Sequence, residues 1–165
     1  MKENIQDIMQ DNMQNIIRAK LFSGLSQKDV CRLLTCLKAQ PVGYARETVV
    51  VEEGCPVKKF GILLRGRGKS YKTDSQGHTL TVTLLKEGSE IGVILAASPG
   101  RKSPVSVTVE QGSSVLFISY NRLINSCTRN CPCHRQTSCV LWQKKVWFFT
   151  SGWPACSAQL PVIRF

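Results

Sequence analysis

No acidic residue occurs in residues 111–165, although the 165-residue chain carries 11 of them. Residues 1–110 hold 16 Lys and Arg with all 11 acids, a net of +5, and the remaining segment holds six basic residues, a net of +6. More than half of the formal charge of +11 therefore sits in the last third, and it describes that segment rather than a basic face spread over a domain. The N-terminus has no unbroken apolar run, because Glu3, Asp7 and Asp11 interrupt it. That excludes a secretory signal and a membrane span there, and the expected location is the cytoplasm. Without an export signal, the eight cysteines are expected to be reduced thiols rather than a disulfide framework. Histidine is scarce, with only His78 beside a turn and His134 among cysteines. No Ser-His-Asp set or paired-carboxylate site is suggested by spacing, so the chain is not expected to be an enzyme. What remains is enough for one domain with a sizeable core: 165 residues, 42% of them hydrophobic.

Ile5, Ile8, Met9, Met13, Ile16 and Ile17 recur at helical spacing and predict one amphipathic N-terminal helix over residues 1–20. Leu21, Phe22, Gly24 and Leu25 lead into Ser26, whose hydroxyl is placed to cap the amide near Asp29. Val30, Leu33, Leu34 and Leu37 then line one face of a second helix. From about Pro41 the period changes to that of strands. Between Val49 and Gly92, short apolar runs alternate with glycine turns and no helical period survives. Thr79 to Leu84 alternates strictly, with Leu80, Val82 and Leu84 on one face and threonines on the other, which predicts a half-buried strand. Val105, Val107 and Val109 repeat the alternation, and Val115 to Ile118 is a further apolar run. Turns are expected at Glu53-Gly54, Asp74 to Gly77 and Glu87-Gly88. Strands without intervening helices exclude a parallel α/β sheet. The fold class read from this pattern is mainly β with flanking helices, closed as a double-sheet jelly roll of about eight strands.

Gly66-Arg67-Gly68-Lys69-Ser70 ends like a phosphate-binding P-loop, but Leu63 stands where the first glycine is required, and the run enters a strand. Without a helix N-terminus the converging amides that hold a phosphate are missing, which argues against nucleotide hydrolysis.

The roll pattern of Val49 to Gly92, the entry segment LFSGLSQKDVCRLL and the stretch Glu90 to Val105 together resemble the effector-binding module of the Crp/Fnr, or catabolite-activator type, transcriptional regulators. The resemblance covers roughly Leu21 to Gln136. It implies a cyclic-nucleotide-binding-domain-like double-stranded β-helix that takes a small-molecule effector, with Gly61 and Gly66 where strands turn sharply. It also implies a homodimer, with DNA read by a separate helix-turn-helix. Glu90 to Val105 resembles the family's phosphate-binding cassette. Its expected effector-binding residues are Ile91, Gly92, Val93, Ile94, Arg101, Lys102, Ser103, Pro104 and Val105. In cyclic-nucleotide binders the glycine matching Gly92 is followed by a ribose-binding glutamate, and further on come a phosphate-binding arginine and a small hydroxyl residue. Here those three positions are Val93, Ser103 and Pro104. A buried phosphate diester without a positive partner costs several kcal/mol or more, and one neutral hydrogen bond returns only roughly 0.5–1.5 kcal/mol. Arg101 and Lys102 are the cations within reach as substitutes, but they read as solvated loop residues. The expected effector is therefore less ionic than cyclic AMP. Related rolls in cupins host metal-dependent catalysis, but through histidine-rich sites, which two histidines do not supply.

Cys127, Cys131, Cys133, His134 and Cys139 lie within thirteen residues. Thiolate and imidazole bind zinc, and thiolates hold iron–sulfur clusters, so metal or redox sensing is an alternative reading. The spacing fits neither the paired C-x-x-C pattern nor a ferredoxin run. After about Gln136 the family pattern stops. The chain is read as an N-terminal helix (1–20), an effector-binding roll with entry helices (21–126) and a divergent segment (127–165) in place of a dimerisation helix. Three turns of helix over Cys139 to Phe149 are compatible with the last segment, while Pro154 and Pro161 break any longer one. The abrupt change in composition suggests a reading-frame shift. A polypeptide cut short there would lack its own DNA reader and touch DNA only through a domain absent from this chain; a stand-alone ligand-binding adaptor is the other reading. All three tryptophans lie in this cationic tail, and exposed aromatics of that kind are more often core or dimer contacts than membrane contacts. No membrane partner is expected.

Overall fold

Ser26 starts the longest helix as its chemistry suggests: its Oγ accepts from the Asp29 amide at 3.2 Å and donates to the Asp29 carboxylate at 2.6 Å. The computed structural model describes residues 5–93, 102–124, 131–132, 134 and 137–138. The helices described in full are α1 (Ile5–Asp11), α2 (Met13–Arg18), a 3-10 turn (Lys20–Phe22), α3 (Gln27–Leu37) and α4 (Tyr120–Ile124). The single N-terminal helix of the sequence reading is thus two short ones. The break falls at Asn12, whose side-chain amide donates to the Ile8 carbonyl at 2.8 Å and competes with the backbone ladder. The apolar face survives, with Met13 and Ile16 buried, and Val30, Leu33, Leu34 and Leu37 of α3 are buried as their spacing requires.

Eight strands follow among the described residues: β1 (Gln40–Gly43), β2 (Thr48–Val51), β3 (Lys59–Arg65), β4 (Gly68–Thr73), β5 (Thr79–Leu85), β6 (Glu90–Ile91), β7 (Ser106–Val109) and β8 (Ser114–Ser119). They form two antiparallel four-stranded sheets, β1-β8-β3-β6 and β2-β7-β4-β5. This is the mainly β jelly roll that the alternating pattern indicated. The three expected turns carry Gly54, Gly77 and Gly88, each with positive φ near 80–90°.

Two apolar clusters share the first sheet. Phe60, Ile62 and Leu64 of β3 and Leu116 and Ile118 of β8 pack with the helices, whereas Leu63 and Val115 meet Ile91, Val107 and Val109 between the sheets. Alternate residues of one strand therefore enter different cores, which is why FGILL is an unbroken apolar run rather than an alternating one. Gly61, expected at a turn, is instead buried in mid-strand, paired to Phe117 on one side and Ile91 on the other. A Cβ there would stand 2.7 Å from Val115 Cγ1, so close packing rather than a turn calls for glycine. Gly66 does turn, at φ 93°, with Ser113 where its Cβ would be.

The second correction concerns β5. Leu80, Val82 and Leu84 are 71%, 56% and 76% exposed, and the threonines between them are exposed as well. The alternation does mark a strand, but β5 is an edge strand with neither face buried.

Candidate effector-binding site

The stretch expected to bind the effector leaves the roll at β6, where Ile91 and Glu90 pair with Gly61 and Ile62. Glu90 Oε1 accepts from the Leu21 amide at 2.7 Å, tying the start of the stretch to the 3-10 turn before α3. Ile91 points into the cluster between the sheets. Gly92 bends the chain at φ 70°, with Val57 Cγ1 3.1 Å from where a Cβ would be. Its conformation and its neighbour both favour glycine. Val93, where nucleotide binders carry a glutamate, is 3% exposed and belongs to the helix-side cluster rather than to the interior of the roll. Ile94 and Arg101 lie outside the described residues.

The far end of the stretch is held to the turn after β2. The Gly54 amide donates to the Ser103 carbonyl at 2.7 Å, the Ser103 amide donates to the Cys55 carbonyl at 3.0 Å, and Lys102 bridges Pro56. Ser103, at the arginine position, is 2% exposed, and its hydroxyl closes on the Val105 carbonyl two residues on. A hydroxyl used in that local turn is not directed at a phosphate. Lys102 and Pro104 are exposed and Val105 is half-buried. Lys102 and Ser103 are thus held to the turn after β2 and Gly92 lies against Val57 next to it, while Ile91 and Val93 turn into separate apolar clusters; among the described residues of this stretch, or rim, no cation is buried.

Beside that rim is a cleft of about 380 Å3 lined by Val50, Cys55, Pro56, Val57, Lys58 and Phe117. Its lining is mixed, with Val50, Val51, Val57 and Phe117 beside Glu52, Lys58 and Lys59. The sequence reading missed these residues, since they come from three separate strands and turns. Ser70, buried, pairs with Val107 between β4 and β7, and Ser106 Oγ accepts from the Glu53 amide at 3.1 Å. Tyr44 flanks the same cluster, and partial burial raises its phenol pKa above the usual value of 10.0.

The expected metal ligands fall differently. His134 is 5% exposed, its Nε2 donates to the Leu123 carbonyl at 2.7 Å, and its Nδ1 faces Cys36 Sγ of α3 at 3.9 Å. Ser138 Oγ donates to the same Leu123 carbonyl at 2.8 Å. Cys131 is half-buried. Cys127, Cys133, Cys139 and the helix expected over Cys139 to Phe149 lie outside the described residues. Among the described residues no group of three His, Cys, Asp or Glu side chains is placed to hold a metal. No helix among them is long and apolar enough to cross a membrane.

This two-sheet roll, with a positive-φ glycine directly after β6, is the fold of a known domain, and the model of the cyclic nucleotide-binding domain matches residues 41–130. The chain belongs to the cyclic nucleotide-binding domain family. No curated protein matches it. Among solved structures, it is similar to the sensor domain of the transcriptional regulator DNR from Pseudomonas aeruginosa, with 15% identity, a TM-score of 0.67, and coverage of 92% of this chain and 99% of that one. The N-terminal domain of a transcriptional regulator from Streptomyces coelicolor A3(2) gives 15% identity and a TM-score of 0.67, covering 82% and 92%. The Thermus thermophilus catabolite activator protein gives 17% and 0.63, covering 80% of this chain and 60% of that one. At these identities the likeness establishes the fold. In this chain Val93 is committed to packing and Ser103 to a local turn.

Proposed function

We propose that the chain is the effector-sensing domain of a Crp/Fnr-type transcription regulator, and that its effector is a small, weakly ionic molecule rather than cyclic AMP held by the usual contacts. The observation that carries this reading is the pair Val93 and Ser103: one is buried in the helix-side core and the other closes on Val105. A cyclic phosphate at this rim would lack the buried charge partner it needs. Val50 and Phe117 give the mixed lining of the cleft an apolar part that supports a weakly ionic ligand. Binding at the rim pulls on Gly92 and β6 and, through Glu90, on the turn at Leu21, while the signal leaves the roll by way of α4 after β8. The working unit is a homodimer, and DNA is contacted by a separate reading element.

A melting assay of the whole chain tests this reading, with cyclic AMP, cyclic GMP and a panel of neutral apolar compounds. Cyclic nucleotides at about 1 mM are expected to leave the midpoint unchanged, and a ligand present at about 100 times its Kd adds roughly 2.7 kcal/mol. A cyclic AMP complex of micromolar affinity, lost on Lys102→Ala, would overturn the weakly ionic effector.

A further inference from the structure

The run Gly66-Arg67-Gly68-Lys69-Ser70 fails as a P-loop, but its arginine belongs to a site of another kind. Arg67 sits in the tight turn between β3 and β4 and lines a cleft of about 670 Å3. The other walls are Arg18, in the last turn of α2, and Lys86, Glu87, Gly88 and Ser89 of the turn between β5 and β6. Three elements far apart in sequence are locked together here. Asn15 Nδ2 donates to the Leu64 carbonyl at 2.9 Å and to Glu87 Oε2 at 3.2 Å, and the Gly66 amide donates to Glu87 Oε1 at 3.3 Å. At Gly88, with φ 82°, a Cβ would stand 3.1 Å from the Asn15 carbonyl oxygen and 3.3 Å from Arg18 Cβ, so glycine lets α2 lie directly on the turn. The cleft carries three cations and one carboxylate, and that carboxylate is taken up by Asn15 and Gly66. Among the described residues none of Arg18, Arg67 and Lys86 is in an ion pair, and Arg18 reaches only the Asn15 side-chain oxygen, at 3.5 Å.

We propose that this cleft binds a small polyanion, a molecule carrying two or more phosphate groups. The site shares no residue with the rim and stands whatever the rim binds. All three cations are exposed, and a single exposed ion pair contributes little. One negative charge is therefore not retained, whereas a chain of phosphates engages cations on three elements at once. Those elements are already held in place through Asn15 and Glu87, so little ordering accompanies binding. Arg18 and Arg67 offer planar forks that match phosphate oxygens, and Lys86 adds a point charge. The Gly66 amide, which a P-loop would aim at a phosphate, is bonded to Glu87, so side-chain cations rather than backbone hold the anion. The volume of the cleft falls within the usual range for small-molecule sites, roughly 300–1,000 Å3.

The test titrates inorganic tripolyphosphate into the whole chain under reducing conditions, by calorimetry at low salt. Binding in the tens of micromolar is expected, weakened roughly tenfold when salt is raised to about 0.5 M. Arg67→Glu and Lys86→Glu are each expected to weaken it more than about tenfold. Lys72→Glu makes the same charge change at an exposed β4 position outside the cleft, and is expected to weaken it less than about twofold. ATP is the second titrant. Affinity equal to or below that of tripolyphosphate means that the phosphate chain alone is read, tighter binding means that the anion is a nucleotide, and either supports the site. Backbone amide shifts locate the ligand without any variant, since those of Gly66, Gly88 and Ser89 are expected to move more than those of Gly77 or Gly92. No binding of tripolyphosphate at about 1 mM, an equal loss in Lys72→Glu, tighter binding of citrate, or larger shifts at Gly92 would each overturn the proposal. If a charge-reversed variant does not fold, the amide shifts of the wild type decide alone.

Discussion

β3 and β5 are both seven-residue strands rich in Leu, Ile or Val, and they have opposite fates. β3 lies inside its sheet, between β8 and β6, with helices on one face and the opposing sheet on the other, and its five central residues are buried. β5 lies at the rim of the other sheet, and six of its seven residues are exposed. Side-chain chemistry decides that a segment becomes a strand, but its place in the sheet order decides what burial it receives.

The largest expected contrast comes from trimming one side chain in each strand. Ile62→Ala removes buried atoms from the helix-side core and is expected to cost about 2–5 kcal/mol. Leu80→Ala is expected to stay within about 0.5 kcal/mol. Urea unfolding of the two variants measures both, and equal losses would contradict the edge assignment. A second contrast uses glycines. Gly61→Ala places a methyl group 2.7 Å from Val115 Cγ1 and is expected to cost about 1–3 kcal/mol. At Gly43 in the edge strand β1 nothing lies within 4 Å of the added atom, and Gly43→Ala is expected to be neutral or to stabilise by about 0.4–1 kcal/mol.

The smallest effect concerns the β4–β5 turn. The hydrogen bonds of the Asp74 carboxylate, from the His78 backbone first and then from the His78 side chain and the Gln76 and Gly77 amides, hold its pKa below the usual 3.8. A depressed folded pKa gives stability that is present above pH 3.8 and lost as pH falls through the folded value. Asp74→Asn is expected to flatten that acid limb slightly, and matched acid titrations of stability would show it.

Much of this arrangement is local and therefore legible in the sequence. The Ser26 cap, the buried face of α3 and the positive-φ glycines each depend on residues a few positions apart. The alternation in β5 was legible as a strand but carried no information about which edge it would occupy. Gly61 reads equally as a turn or as a close approach, and only the side chain of Val115, 54 positions later in β8, decides between them. At the rim, the loss of ionic groups was plain from Val93 and Ser103. Where Val93 goes depended on the bend at Gly92, and the contact of Ser103 with the turn at Cys55 is a long-range pairing. His134 stood among cysteines in the sequence, yet in space its neighbours are the Leu123 carbonyl and Cys36, the latter 98 positions away.

The bond from the Leu21 amide to Glu90 gives the molecule a built-in gauge. The two residues are 69 positions apart, one in the turn before α3 and the other in the two-residue strand that opens the rim. On the proposed reading, a ligand that shifted β6 would alter the carboxylate against which the Leu21 proton rests, and one backbone resonance outside the roll would record it.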